Sequence, residues 1–190
     1  MNQQYPPDIN KLVQRVLMQD RTGKYPQMIN TCHEIIKLQP DIPEAHYFLG
    51  CAHMKLDQYE KAIEAFKEAV TQKSDYAEAY NNLGSCHFSL GQYKEAKDSF
   101  LNAIDSKPDM AAAHFNLGNA YFELGDYLKA AEAYKMATNA DPNYAKAYYF
   151  GAECWLKLGD IDAALAEWLL LSKIDGELAE DLRQMISSGQ

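Results

Sequence analysis

Long apolar runs are missing from this chain. No stretch of roughly 18 apolar residues occurs, so nothing in it reads as a membrane span. An excess of basic charge is missing too: 27 acidic against 18 basic side chains leave a net charge of −9. Such a surface repels phosphate backbones and anionic lipid, so neither nucleic acid nor membrane is an expected partner. Cys32, Cys51, Cys86 and Cys154 form no C-x-x-C pair, which argues against a zinc or dithiol motif and against a disulfide framework. Met1 to Asp8 carry no Lys or Arg and lead into no apolar stretch. That speaks against a secretory signal and predicts a cytoplasmic protein. No nucleophile elbow, phosphate-binding glycine loop or H-E-x-x-H motif appears. No catalytic residue, metal or cofactor is expected, and the chain is not expected to be an enzyme.

What is present is a period of 34 residues. Leu-Gly recurs at Leu49-Gly50, Leu83-Gly84 and Leu117-Gly118. The same interval links Gly91, Gly125 and Gly159, and twice that interval reaches back to Gly23. It links Tyr25, Tyr59, Tyr93 and Tyr127, the alanines 62, 96, 130 and 164, and the aromatic series Phe66, Phe100, Tyr134 and Trp168. Pro40, Pro108 and Pro142 keep the register as well. Self-similarity at such a period marks stacked supersecondary units.

Each unit reads as two helices. In residues 77–110 the first runs from about Ala77 to Leu90, with Gly91 placed to end it in a left-handed conformation. The second runs from about Tyr93 to Ser106 and stops before Pro108. Asp41, Asp75, Asp109 and Asn143 are placed to start each first helix, and Glu44 and Glu78 three residues on predict reciprocal caps. Gly50, Gly84 and Gly118 lack side chains where the two helices of a unit must cross, and Ala62, Ala96 and Ala130 do the same from the other side.

The pattern resembles the tetratricopeptide repeat (TPR) family, carried by the run Ala111–Tyr121 with Gly125-Asp126-Tyr127, Ala130, Tyr134, Ala137 and Asp141-Pro142. The resemblance implies an all-α fold: a right-handed α-solenoid of antiparallel helix pairs with a C-terminal capping helix. The expected organisation is a flexible N-terminus over 1–8, a degenerate first unit over 9–42, and units at 43–76, 77–110 and 111–144. A divergent unit at 145–178 and a capping helix and tail at 179–190 complete it. In the divergent unit Gly151-Ala152 stand in place of Leu-Gly, and Ile161 replaces Tyr. Leu178, Leu182, Met185 and Ile186 give the last helix one apolar face. That face either covers the greasy stretch Trp168–Leu171 as a cap, the more economical reading, or leaves it exposed to dock another subunit.

Histidines and cysteines that look suggestive in isolation fall on packing positions of the repeat. His53 and His87 share a position with Tyr121 and Trp155, and His46 and His114 share one with Tyr80 and Tyr148. Cys86 and Cys154 replace Ala52 and Ala120. A metal needs three or four converging ligands, and these are spread along the repeat. Glu60, Glu64 and Glu68 alternate with Lys61 and Lys67 at helical spacing, as on a solvated outer face.

The family resemblance further implies a concave groove lined by the first helix of each unit. Its candidate peptide-binding residues are Tyr47, Phe48, Asn81, Asn82, Phe115, Asn116, Asn119, Lys146, Tyr149 and Phe150. Asn82 and Asn116 occupy the same position of adjacent units, and an amide can pair with a peptide backbone whatever its side chains. The arrangement is similar to the asparagine ladder of the O-GlcNAc transferase superhelix. The carboxylate clamp of chaperone-binding members is not matched, because Tyr47, Cys51, Ala112 and Asn116 stand where its Lys, Asn and Arg residues belong. The expectation is a cytoplasmic scaffold or adaptor that binds an extended or helical segment of another protein. Glu44, Glu78, Glu123 and Glu153 favour an apolar or basic one. The alternatives are a dedicated co-chaperone or secretion-type chaperone for one client, and a structural homo-oligomer built through the terminal units.

Overall fold

The computed structural model describes residues 5–188. Among them lie eleven helices and no strand. These are α1 (Pro7–Arg21), α2 (Tyr25–Leu38), α3 (Pro43–Met54), α4 (Tyr59–Gln72), α5 (Ala77–Ser89), α6 (Tyr93–Ser106), α7 (Ala111–Glu123), α8 (Tyr127–Ala140), α9 (Ala145–Lys157), α10 (Ile161–Leu171) and α11 (Gly176–Ser188). They fall into two compact units, Met1–Gly91 with α1–α5 and Gln92–Gln190 with α6–α11. In the first unit each helix packs on the next, from α1 through α5. In the second the same holds from α6 through α10, and α11 packs on both α10 and α9. The architecture is an all-α solenoid of antiparallel helix pairs closed by a capping helix.

The close crossings follow from missing side chains. A Cβ on Gly50 would stand 2.7 Å from the Phe66 ring, and one on Gly118 would stand 2.6 Å from the Tyr134 ring. Neither helix pair could approach as closely with alanine at those positions. Ala62 and Ala130 answer from the second helices and are fully buried, beside the buried Phe66 and Tyr134. The helix-ending position recurs at Gly23, Gly91, Gly125 and Gly159 with φ between 67° and 78°. Asp57 holds that position in the unit that lacks the glycine, at φ 55°. Aspartate tolerates the left-handed region better than other side chains, which explains how the repeat survives there.

The expected caps are corrected. The residues at the starts of α3, α5, α7 and α9 are Ile42, Tyr76, Met110 and Tyr144, none with a capping side chain, so Asp41, Asp75, Asp109 and Asn143 stand one residue too early. Backbone carbonyls take over: the amide of Ala79 donates to Tyr76 and that of Ala113 to Met110. Aspartate side chains cap other starts, Asp126 on α8 and Asp160 on α10. Part of the stretch expected to be flexible, residues 1–4, lies outside the described residues, but α1 already begins at Pro7, where a proline fits the first helical turn. Tyr5 is tied down as well, its hydroxyl donating to Glu44 Oε2 at 2.9 Å. At the other end α11 starts at Gly176, three residues before the tail segment expected to hold it.

Candidate functional site

In the first unit, the facing sides of α3 and α5 bring together Tyr47, Cys51 and Asn82. The Asn82 amide nitrogen donates to Tyr47 Oη at 3.3 Å and to Cys51 Sγ at 3.6 Å. Both donors of the amide are thereby turned inward. Oδ1 is left as an acceptor on a half-buried side chain. Burial pushes the Cys51 thiol up to about 11, with the bonds from Tyr47 and Asn82 pulling the other way, so Cys51 is a neutral thiol here. Burial likewise raises the Tyr47 phenol. Tyr47 also packs on Phe48, Phe66 and Tyr76 with ring centroids 5.5, 5.9 and 5.0 Å away.

In the second unit Phe115 of α7 repeats this arrangement. It stacks on Tyr144 at 5.0 Å, leans on Tyr134 at 5.5 Å and reaches Phe150 of α9 at 5.9 Å. Phe150 touches Tyr134 and Tyr149 in turn. Asn119 Oδ1 accepts the Tyr134 hydroxyl at 2.8 Å, tying α7 to α8. Glu153 of α9 is partly buried, and that burial raises its carboxyl against the pull of Lys157. Lys146 is exposed in the first turn of α9, and Asn81, Asn116 and Tyr149 are half-buried.

Two models for the tetratricopeptide repeat match residues 87–145 and 122–184, and a third, for the TPR repeat, matches residues 50–90. The chain belongs to the TPR family. Solved structures share the fold. MamA is 26% identical with a TM-score of 0.79, covering 86% of this chain and 95% of its own. The MamA fragment 41-end from Desulfovibrio magneticus RS-1 is 20% identical with a TM-score of 0.81, covering 90% and 97%. YrrB, described as a TPR protein with an unusual peptide-binding site, is 18% identical with a TM-score of 0.76, covering 91% and 90%. No curated protein sequence matches the chain significantly.

Within this TPR chain the candidate residues divide into two kinds. The aromatics Tyr47, Phe48, Phe115, Tyr149 and Phe150 are all drawn partly into the helix-packing clusters rather than standing free on a surface. Asn119 spends its carbonyl on Tyr134. Asn82 is the candidate whose partners orient it and still leave an acceptor. Sequence reasoning missed Tyr76 and Tyr144, the platforms under Tyr47 and Phe115. They lie two periods apart with Met110 between them, and an aromatic pair in that column could have been read from the register.

His46, His53 and His114 occupy structural roles. His46 Nε2 bonds the Pro40 carbonyl at 3.0 Å, His114 Nε2 bonds that of Pro108 at 2.7 Å, and the Tyr148 hydroxyl makes the equivalent bond to Pro142 at 3.3 Å. His53 Nδ1 bonds Gln58 Oε1 at 2.8 Å. Among the described residues no group of three or more His, Cys, Asp or Glu could hold a metal ion, and no helix is long and apolar enough to cross a membrane.

Proposed function

We propose that the chain is a non-catalytic adaptor that binds an extended or helical segment of a partner protein along the first helices of its pairs. The observation that carries the reading is Asn82. Tyr47 and Cys51 hold its amide donors, so Oδ1 is oriented in advance to accept a backbone N–H, and preorganised groups lose less entropy on binding. Asn81, Asn116 and Asn119 supply further amides, and the part-exposed edges of Tyr47, Phe48, Phe115, Tyr149 and Phe150 supply apolar contact. Glu78, Glu123 and Glu153 favour a segment with basic residues, and Lys146 adds one cation at the edge. TPR relatives support the reading in kind, since YrrB carries a peptide-binding site. Four free thiols suit an adaptor working in a reducing compartment such as the cytoplasm.

The test is selection of binding peptides from a random display library on the wild-type chain, followed by titration calorimetry on the Asn82→Ala, Asn116→Ala double variant. Loss of two backbone-directed hydrogen bonds should weaken the selected peptides by about tenfold or more. Undiminished affinity in a folded double variant would count against the reading.

A further inference from the structure

We infer that the chain pairs with a second copy of itself through the outward face of α10, the two helices running antiparallel. The inference stands apart from the peptide-binding reading and uses none of its residues.

Exposed large apolar side chains are unevenly shared. The first unit shows only Met18 and Leu38 among its described residues. The second unit shows Leu101, Leu124, Leu128 and Met136 singly, and on α10 Ile161, Leu165, Leu169 and Leu170 together are 55, 41, 54 and 45% exposed, with Leu158 just ahead at 45%. Ile161, Leu165 and Leu169 recur every four residues and so line one stripe. The repeat register shows that this is a departure. Where α4 carries Glu64, Lys67 and Glu68, α6 and α8 each keep one apolar residue (Leu101, Met136), and α10 carries Ala166, Leu169 and Leu170 with no charge among them. The capping helix does not use the stripe. It takes the adjoining flank of α10, where the Trp168 indole donates to the Ala179 carbonyl at 3.0 Å and Leu171 lies buried with Leu182. Glu167 is withdrawn as well, its carboxyl carbon 4.0 Å from where a Cβ on Gly151 would stand.

Charge decides for a second copy as the occupant. Two chains of net charge −9 repel each other except where carboxylates are sparse, and the middle of this stripe has none. Asp160 and Asp162 stand at its start, and Lys173 is the one cation just past its end, beside Asp175, which caps α11. Asp162 lies in the first turn of α10 and Lys173 in the turn just past its end, and both are exposed. Neither joins a salt bridge among the described residues. Antiparallel pairing across Leu165 and Leu169 sets Asp162 of each copy against Lys173 of the other, twice, and opposes the two helix dipoles. Parallel pairing would set like charges together. An isologous contact of this kind closes on itself. The stripe's three side chains and their neighbours make less than the roughly 800 Å² per partner of a standard interface, so the pair is weak and forms with rising concentration.

Sedimentation equilibrium of the full chain from low micromolar to about millimolar concentration tests the inference. The weight-average mass should rise from 21.5 kDa toward twice that value. Leu165→Glu with Leu169→Glu should hold it at the monomer mass with the helical circular dichroism intact. Asp162→Lys and Lys173→Asp should each weaken pairing severalfold, and the two together should restore it. The exchange probes the pairing even where the leucine variant fails to fold. A wild-type chain that stays monomeric throughout overturns the inference, including one that binds an added basic amphipathic helix instead. So does a folded leucine variant that pairs as tightly as wild type, or a charge exchange that restores nothing.

Discussion

Tyr134 occupies the space that a side chain on Gly118 would need: a Cβ there would stand 2.6 Å from the ring, and the Tyr134 hydroxyl reaches on to Asn119 Oδ1 at 2.8 Å. One tyrosine therefore sets how closely α7 and α8 cross and spends an amide that faces the candidate site. The same contact recurs between Phe66 and Gly50 in the first unit.

Two glycines of the second unit should accordingly answer substitution in opposite directions. Gly118→Ala forces the Tyr134 ring to move and should destabilise by about 1–3 kcal/mol. Gly151→Ala meets nothing closer than Tyr134 Cβ at 3.7 Å. It should stabilise by up to about 1 kcal/mol, because alanine is the better helix former. Urea midpoints of the two variants against wild type give both signs in one experiment.

His114 ties α7 back to the Pro108 carbonyl that ends the preceding helix, and Tyr148 makes the equivalent tie to Pro142. His114→Ala should cost about 1 kcal/mol, and His114→Tyr appreciably less. Equal losses in the two variants, measured by thermal unfolding, would show that the bond contributes nothing.

The thiols predict both reactivity and alkaline stability. Burial pushes Cys32, Cys86 and Cys154 up to about 12 and Cys51 to about 11. At pH 8 a disulfide reagent should leave the native chain almost untouched and titrate all four thiols in denaturant. Unfolded thiols ionise near their ordinary value of about 8.5, whereas folded ones keep their protons to about 11–12. The folded state binds more protons in that window, so stability is full below about pH 8.5 and falls as pH rises through the folded values. A urea midpoint that stays flat from pH 8 to 10 would contradict this.

Leu182 is fully buried under the cap, and Trp168 is bonded to Ala179 in the same helix. Leu182→Ala should release α11 locally, costing about 2–5 kcal/mol of its docking. In a Trp155→Phe background, Trp168 fluorescence should shift to the red. Faster amide exchange should be confined to residues 176–188.

Helix positions were legible in the sequence because each repeat column has a single packing reason, as Gly118 against Tyr134 illustrates. The cap assignments failed at Asp75 and Asp109, because the turn closes on backbone carbonyls and needs no side chain one residue later. The site was only half legible. Phe115 and Phe150 fall at groove positions by register, but an aromatic ring long enough to reach solvent is also long enough to fold onto Tyr134 and Tyr144. Trp168–Leu171 divided the same way: α11 covers Trp168 and Leu171, while Leu169 and Leu170 remain outside.

The period of 34 residues by itself determined the helix pairs, their close crossings and the packing roles of the histidines. Each of these depends on residue size and spacing, which a sequence records directly. Only the tertiary structure decided which way the amide of Asn82 turns, which aromatics are drawn into the helix contacts, and which leucines of α10 escape the cap. Those outcomes depend on competition among neighbours from different helices, and local periodicity carries no trace of it.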